Sequence, residues 1–353
     1  MSDVVNRLDD FLARLHFAEG VRPILAFLIM LAVVFAVFFG ALRLSVKAGW
    51  MSRTTAAFWG FVSPWIAGFL LFTAGPMVYS LVLSFMDWDL LDPAKFTGLS
   101  NYHQALHDSH LTQAIKVTLI YAVVSVPLQT ILSLGVALLM NVNVRGINVF
   151  RTIWYLPSLV TGVAQTVLFI YVFNPDFGLI NGVLRLVGIQ GPKWLFDPHW
   201  ALSAVIIMSL WTVGGNMVIY LAGLRDIPAD LYEAAEVDGA GRWRTLWNIT
   251  LPQLSPVIFF NVVTGLIVAM QTFTQGYVLA HNEGGLGDSL LFYVLYLYQN
   301  AFSLFKIGYA SALAWILFVM IMLLTALMFR GSDFWVYYES QRPSRRRRRV
   351  RVS

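Results

Sequence analysis

Uncharged runs of roughly twenty residues or more recur along this chain of 353 residues, and the polar stretches between them hold most of its charge. The runs lack the period-two alternation of barrel strands. Their backbone groups must be satisfied within each segment in a bilayer, so they predict α-helices and an all-α membrane protein. Seven crossings are expected: Ile24 to Leu42, Ala56 to Met86, Val117 to Val144, Thr152 to about Phe173, Trp200 to Leu224, Pro256 to Ala280 and Ile307 to Phe329. Pro64, Gly75-Pro76, Pro127 and Pro157 fall inside or near the starts of these runs, where proline removes a helix hydrogen bond and predicts a kink. From Ser289 to Lys306 the chain is rich in Tyr and Phe and is then broken by Lys306 and Gly308. That stretch suits an interfacial helix or a re-entrant piece, with eight crossings as the alternative count.

Composition agrees with the pattern. The chain is 58% hydrophobic and 12% charged, whereas a soluble chain is about a quarter charged. It contains no cysteine, which excludes a thiolate nucleophile, a thiol redox centre and a disulfide. His103, His107 and His110 crowd one polar stretch, but a metal site needs three or four converging ligands, and a solvated loop is the expected setting. No glycine loop ends in Lys-Ser or Lys-Thr, so ATP binding by that device is not expected. No catalytic set and no metal site is assigned.

Lys and Arg near the membrane ends orient the spans. Arg43, Lys47 and Arg53 lie between the first two runs, Arg145 and Arg151 between the third and fourth, and Arg225, Arg242 and Arg244 between the fifth and sixth. Those loops are expected on the cytoplasmic side, together with the Arg-rich tail, residues 339–353. Asp87, Asp89, Asp92 and Asp108 mark an outer loop. Beside a membrane the tail is expected to fix topology and attract anionic lipid rather than nucleic acid. The domain plan is an amphipathic segment at 1–21, an extra N-terminal helix at 22–46, a transmembrane domain at 56–338 with a polar loop at 225–255, and the tail.

In that loop Pro228 is placed to open a helix, Asp230 and Glu233 complement its N-terminal dipole, and Gly239 and Gly241 end it. A second short helix, Arg242 to about Asn248, is expected to leave at an angle before Ile249-Thr250-Leu251-Pro252 re-enters the membrane. Glu233-Ala234-Ala235, then Gly239, then Ile249-x-Leu251-Pro252 is similar, at every fixed position, to the EAA loop of binding-protein-dependent ABC importer permeases. Further similarity to their carbohydrate-uptake branch lies in Phe96-Thr97-Gly98-Leu99, Asn101-Tyr102, Trp154-Tyr155-Leu156-Pro157 and Tyr220-Leu221-Ala222-Gly223-Leu224. One departure is Ala280-His281-Asn282-Glu283-Gly284-Gly285-Leu286, where the family has a glycine-rich turn.

The resemblance implies a six-helix type I permease core plus one N-terminal helix, in the cell membrane of a prokaryote. It implies a translocation subunit that is not itself an enzyme, with ATP and magnesium bound on two separate cytoplasmic ATPase subunits. Further implied partners are a second permease chain, an external solute-binding protein and membrane lipid. Contact with the ATPase falls to Glu233, Ala234, Ala235, Asp238 and Gly239, with Gly239 forming a corner that a side chain would obstruct.

Polar groups are costly against lipid and tend to face an interior cavity. Gln271, Thr274 and Gln275 are spaced for one helical face, and Asn216 and Tyr220 repeat that spacing. These five are the expected substrate lining, with Trp211 or Trp154 as stacking surfaces for a sugar ring. Interhelical hydrogen bonding is the competing role. The spans hold no intramembrane carboxylate, which argues against proton coupling and for a neutral solute such as a sugar or polyol. Glycerol phosphate, the alternative solute, would want a cationic lining.

Overall fold

The computed structural model describes residues 22–142, 144–280 and 284–337. The expected amphipathic segment 1–21, the tail 339–353 and the departure at His281, Asn282 and Glu283 lie outside the described residues. The chain separates into two compact units, Met1–Ser80 and Leu81–Ser353.

The first unit is a helical pair. Helix α1 (Arg22–Lys47) covers the first expected crossing, and α2 (Arg53–Leu83) covers the second. The Ser52 hydroxyl caps α2 by accepting from the Thr55 amide at 3.1 Å. Ahead of Pro76 the helix widens into a π-turn, Leu70–Ala74, with the Gly75 amide donating to the Leu70 carbonyl. An extra residue in the turn gives the proline ring room where an α-turn would place a carbonyl.

The second unit opens with a two-residue antiparallel ladder, β1 (Met86–Asp87) on β2 (Lys95–Phe96), and then α3 (Ser100–Leu106). Asn101 fastens this entry by donating from Nδ2 to the carbonyls of Ser84 and Met86 at 3.0 and 2.8 Å. Helix α4 (Ser109–Met140) is central to the unit, packing against the helices that follow. A small-residue stripe runs its length: Ala114, Thr118, Ala122, Ser125, Ser133 and Ala137 are all fully buried. Small side chains let helices approach closely where no hydrophobic drive separates protein from lipid.

Six of the seven expected crossings have counterparts here. Four run as single spans: α2, α4, α11 (Arg242–Leu279, interrupted at 271–273) and α13 (Ile307–Ser332). Two are bent pairs: α5 (Ile147–Leu159) with α6 (Gly162–Val172) at 99°, and α8 (Pro198–Thr212) with α9 (Gly214–Arg225) at 47°. The count among the described residues is thus four, or up to six if each pair is one span, with α1 the remaining expected crossing. The fourth crossing, expected as one run from Thr152 to about Phe173 with Pro157 near its start, is a broken one. Its α6 has 11 residues, about 16 Å of rise, half of a hydrocarbon core.

The aromatic stretch after Ser289, expected as an interfacial helix or a re-entrant piece, is packed inside the protein. Leu290, Leu291, Phe292 and Tyr293 are buried, and α12 (Tyr293–Tyr298) packs between α4 and α13. The Thr118 hydroxyl accepts from the Tyr293 amide at 2.9 Å, and the Tyr293 hydroxyl donates to the Leu313 carbonyl at 2.7 Å. Backbone that leaves a helix at membrane depth needs such partners within the protein.

Candidate functional site

Two places in the second unit concentrate the chemistry, the polar loop and a central cavity. The loop carries α10 (Ala229–Val237), which opens directly after Pro228 and has Asp230 in its first turn. It ends in a complete Schellman motif: the Ala240 amide donates to the Ala235 carbonyl at 2.9 Å and the Gly239 amide to the Glu236 carbonyl at 3.0 Å. Gly239 sits at φ +70°. A Cβ there would meet nothing within 4 Å, so the expected obstruction is corrected. Glycine is needed for the left-handed backbone, not for space.

The second short helix also differs from expectation. Arg242–Thr245 passes through a π-turn, Leu246–Thr250, directly into α11, so the angle between helices falls at Gly239 to Gly241 alone. The π-turn precedes Pro252 as its counterpart in α2 precedes Pro76. Tyr232 and Thr250 share a hydroxyl hydrogen bond at 3.2 Å that ties α10 to the root of α11. Glu233, Ala234, Asp238 and Gly239 are exposed, whereas Ala235 is buried against its own chain. Val237 and Trp243 stand 89% and 75% exposed beside them, a loop surface more apolar than a solvated connection needs.

The cavity, of about 450 Å³, lies among α4, α6, α8, α9 and α11. That is within the usual range for small-molecule sites. Asn216, Gln271, Thr274 and Gln275 line it, as do Gln129, Gln165 and Asn261. No Lys, Arg, Asp or Glu lines it among the described residues. The polar groups divide into two sets. Gln129 donates to the Ser209 hydroxyl at 3.0 Å, Gln165 to the Met208 carbonyl at 2.9 Å, and Asn261 to the Val257 carbonyl at 2.9 Å. Asn216, Gln271, Thr274 and Gln275 make no side-chain hydrogen bond among the described residues. The first set therefore holds structure together, and the second presents free donors and acceptors to the cavity.

Gln271, Thr274 and Gln275 do not share one helical face, a further correction. The regular helix stops at Met270 and resumes at Thr274, with Phe273 at φ −131°, ψ −55°. Non-helical backbone at this depth is tolerated where it lines a polar cavity, and the break gathers residues 271–275 on the wall. Tyr220 is elsewhere. It is fully buried among Val136, Ala137, Met217, Leu224 and Leu254, away from the lining. Trp211 packs edge-on against Phe169 at 5.7 Å, and neither it nor Trp154 reaches the cavity wall. Sequence reasoning passed over Gln129 and Gln165, although a lone glutamine in an apolar run is the signal that intramembrane polar groups leave.

At the opposite end of α4, Asp108 caps the helix by accepting from the His110 and Leu111 amides at 2.9 and 3.2 Å. Its other oxygen accepts from the hydroxyls of Tyr296 and Tyr309. Burial pushes this carboxyl up, but the two tyrosines and two amides outweigh it and hold the group below the ordinary carboxylate range. His110 Nδ1 stands 2.9 Å from Asp288 Oδ2, while the His103 and His107 rings pack together at 4.6 Å. No group of three or more metal-ligating side chains occurs among the described residues.

A bundle of broken apolar helices around an uncharged polar cavity, with an exposed capped helix on a connecting loop, defines a multi-pass membrane permease. The chain belongs to the family of binding-protein-dependent transport system inner membrane components, whose profile matches residues 117–337. It is 43% identical over 298 residues to the probable ABC transporter permease protein YesP of Bacillus subtilis (strain 168), covering 84% of this chain and 96% of that one. It is 36% identical over 279 residues to the lactose transport system permease protein LacF of Rhizobium radiobacter, covering 78% and 93%. Among solved structures, a chain of a bacterial alginate ABC transporter in complex with alginate pentasaccharide-bound periplasmic protein superposes with a TM-score of 0.69. That likeness, at 23% identity over 82% of this chain and 96% of the other, concerns the fold. The protein is a translocation component of the inner membrane, as the loop Glu233 to Pro252 implied.

Proposed function

We propose that this chain forms one side of the translocation path for a neutral sugar or related polyol, delivered by an external binding protein and driven by a separate ATPase. The observation that carries the solute class is the unpartnered set Asn216, Gln271, Thr274 and Gln275 around an uncharged cavity. Amides and hydroxyls both donate and accept, which matches the hydroxyl groups of a sugar, and a buried hydrogen-bonding site rejects solutes that leave it unpaired. A glycerol phosphate would bring two negative charges to a wall with no cation, at a desolvation cost the wall cannot offset. Sugar permeases among the relatives agree with this reading.

Energy would enter through α10. Glu233, Ala234, Asp238 and Gly239, with Val237 and Trp243 beside them, would seat in a cleft of the ATPase, while Ala235, expected among them, is buried and holds α10 to its own chain. A surface ion pair from Glu233 contributes only about 0 to 1 kcal/mol, so shape and apolar contact dominate that seating. Pairing with a second permease chain would complete the path.

The test is uptake in proteoliposomes holding the assembled importer and its binding protein, with labelled neutral sugars and sn-glycerol 3-phosphate compared. Gln271→Leu with Gln275→Leu should abolish sugar uptake while ATP hydrolysis stimulated by the loaded binding protein persists. Unchanged sugar uptake in that variant, or uptake of the phosphate ester in preference to every neutral sugar, overturns the proposal.

A further inference from the structure

The first unit has a groove of its own. It measures about 560 Å³ and is lined by Phe39, Leu42, Arg43, Val46 and Lys47 of α1 and by Arg53, Ala56, Ala57, Gly60 and Phe61 of α2. Both sets follow the same spacing of i, i+3, i+4, i+7 and i+8, so one face of each helix forms one wall. The walls are graded. Arg43, Lys47 and Arg53 sit at the ends joined by the short turn after Lys47, while Phe39, Gly60 and Phe61 lie about 12 Å further along the helices. Gly60 is what lets the groove run that deep, because a Cβ there would come within 3.2 Å of the Phe39 ring.

The three cations have no internal counter-charge. From Gly20 to Met86 the sequence contains no Asp or Glu, and none of the three forms an ion pair among the described residues. Arg53 is also misplaced for its own helix. It is the first residue of α2, whose first turn holds no acid, so its charge opposes the partial positive charge of the helix N-terminus. An anion at this point would relieve both conflicts. The positive-inside asymmetry assigns this end to the cytoplasmic leaflet, where anionic lipids are available and basic pockets between helices bind their headgroups.

We infer that α1 and α2 form a binding site for an anionic glycerophospholipid of the cytoplasmic leaflet, its phosphate held among Arg43, Lys47 and Arg53 and one acyl chain lying in the groove over Gly60. The cations supply the charge complement, and the apolar depth of the groove distinguishes a lipid from a free anion. The added N-terminal helix thereby gains a role, as one wall of the site. The inference does not depend on which solute the permease carries.

Native mass spectrometry of the assembled importer in detergent tests it, with dioleoylphosphatidylglycerol, dioleoylphosphatidylcholine and inorganic phosphate as probes. Phosphatidylglycerol should be retained over phosphatidylcholine by about tenfold, given the attraction of several basic side chains to an anionic headgroup. Inorganic phosphate should neither bind stably nor displace the lipid. The variant R43Q/K47Q/R53Q should bring the preference close to one, while Arg145→Gln on another loop leaves it unchanged. Ala57→Leu retains all three cations and fills the groove, and it should lower retention of phosphatidylglycerol even if the triple variant fails to insert. Equal retention of the two lipids by the unaltered protein, a preference that survives the triple variant or Ala57→Leu, or displacement of the lipid by inorganic phosphate would each overturn the assignment.

Discussion

Gly239 donates its amide to the carbonyl of Glu236 at 3.0 Å while holding φ at +70°, and so turns the chain out of α10. The space around its Cα is open. A substitution here is therefore read through backbone conformation alone. A non-glycine residue in the left-handed region costs about 1 to 2 kcal/mol, with Asn tolerated better than others. Uptake should fall in the order Gly239, Asn, Ala, Val, with the valine variant inactive and membrane insertion equal in all four. Equal uptake by the valine variant would show that the Schellman turn does not position the loop.

The crossings and the loop were legible because each has few physical solutions. A twenty-residue apolar run in lipid has to be helical, and Gly239 after nine helical residues marks a helix end wherever the loop folds. The cavity was less legible. Asn216 and Tyr220 are one helical turn apart, yet that turn carries the chain from the polar wall to the apolar cluster around Leu254. Which side of the boundary each occupies depends on α4 and α11, remote in sequence. The break after Met270 has the same origin, since only a cavity assembled from five helices makes irregular backbone there tolerable. Asp108 lies 188 and 201 residues before the tyrosines that bind it, beyond any local pattern.

The two positions in α9 separate lining from packing. Asn216→Leu should raise the KM for uptake about tenfold, since one hydrogen bond in a shielded site contributes about 1 to 1.5 kcal/mol. Tyr220→Phe preserves the ring that fills the cluster, and KM should stay within about twofold of the original for a packing residue. Titrating uptake against solute concentration in proteoliposomes distinguishes them. A large KM change for Tyr220→Phe with none for Asn216→Leu would reverse the assignment.

Gly308 and Gly135 make a second contrasting pair. A Cβ on Gly308 would lie 1.9 Å from the Met86 carbonyl oxygen, which Asn101 also binds, so Gly308→Ala forces backbone apart where the β1–β2 ladder meets α13. Thermal unfolding in detergent should show a loss of about 1 to 3 kcal/mol. Gly135, within α4, has nothing within 4 Å of the corresponding position. Gly135→Ala should stabilise by about 0.5 to 1 kcal/mol, because alanine loses less backbone freedom in a helix.

Asp108 gives the N-terminal end of α4 a pH dependence whose sign follows from its partners. The carboxylate form accepts from Tyr296, Tyr309 and the amides of His110 and Leu111, and its affinity for a proton is lowered in the folded state. The unfolded state therefore binds the proton more readily. The contribution to stability is complete above the ordinary aspartate value of about 4 and is lost as pH falls through the lowered folded value. Melting of the purified protein between pH 3 and 7 should show this acid limb, and Asp108→Asn should flatten it. Asparagine keeps the cap on α4 through its one carbonyl oxygen but turns an amide nitrogen toward the Tyr296 and Tyr309 hydroxyls, so it removes the charge and both tyrosine bonds, whereas Asp108→Ala also removes the cap at a further cost of about 1 kcal/mol. Tyr296→Phe deletes one donor and should move the limb to higher pH. An acid limb unchanged by both Asp108→Asn and Tyr296→Phe would place its origin in another group.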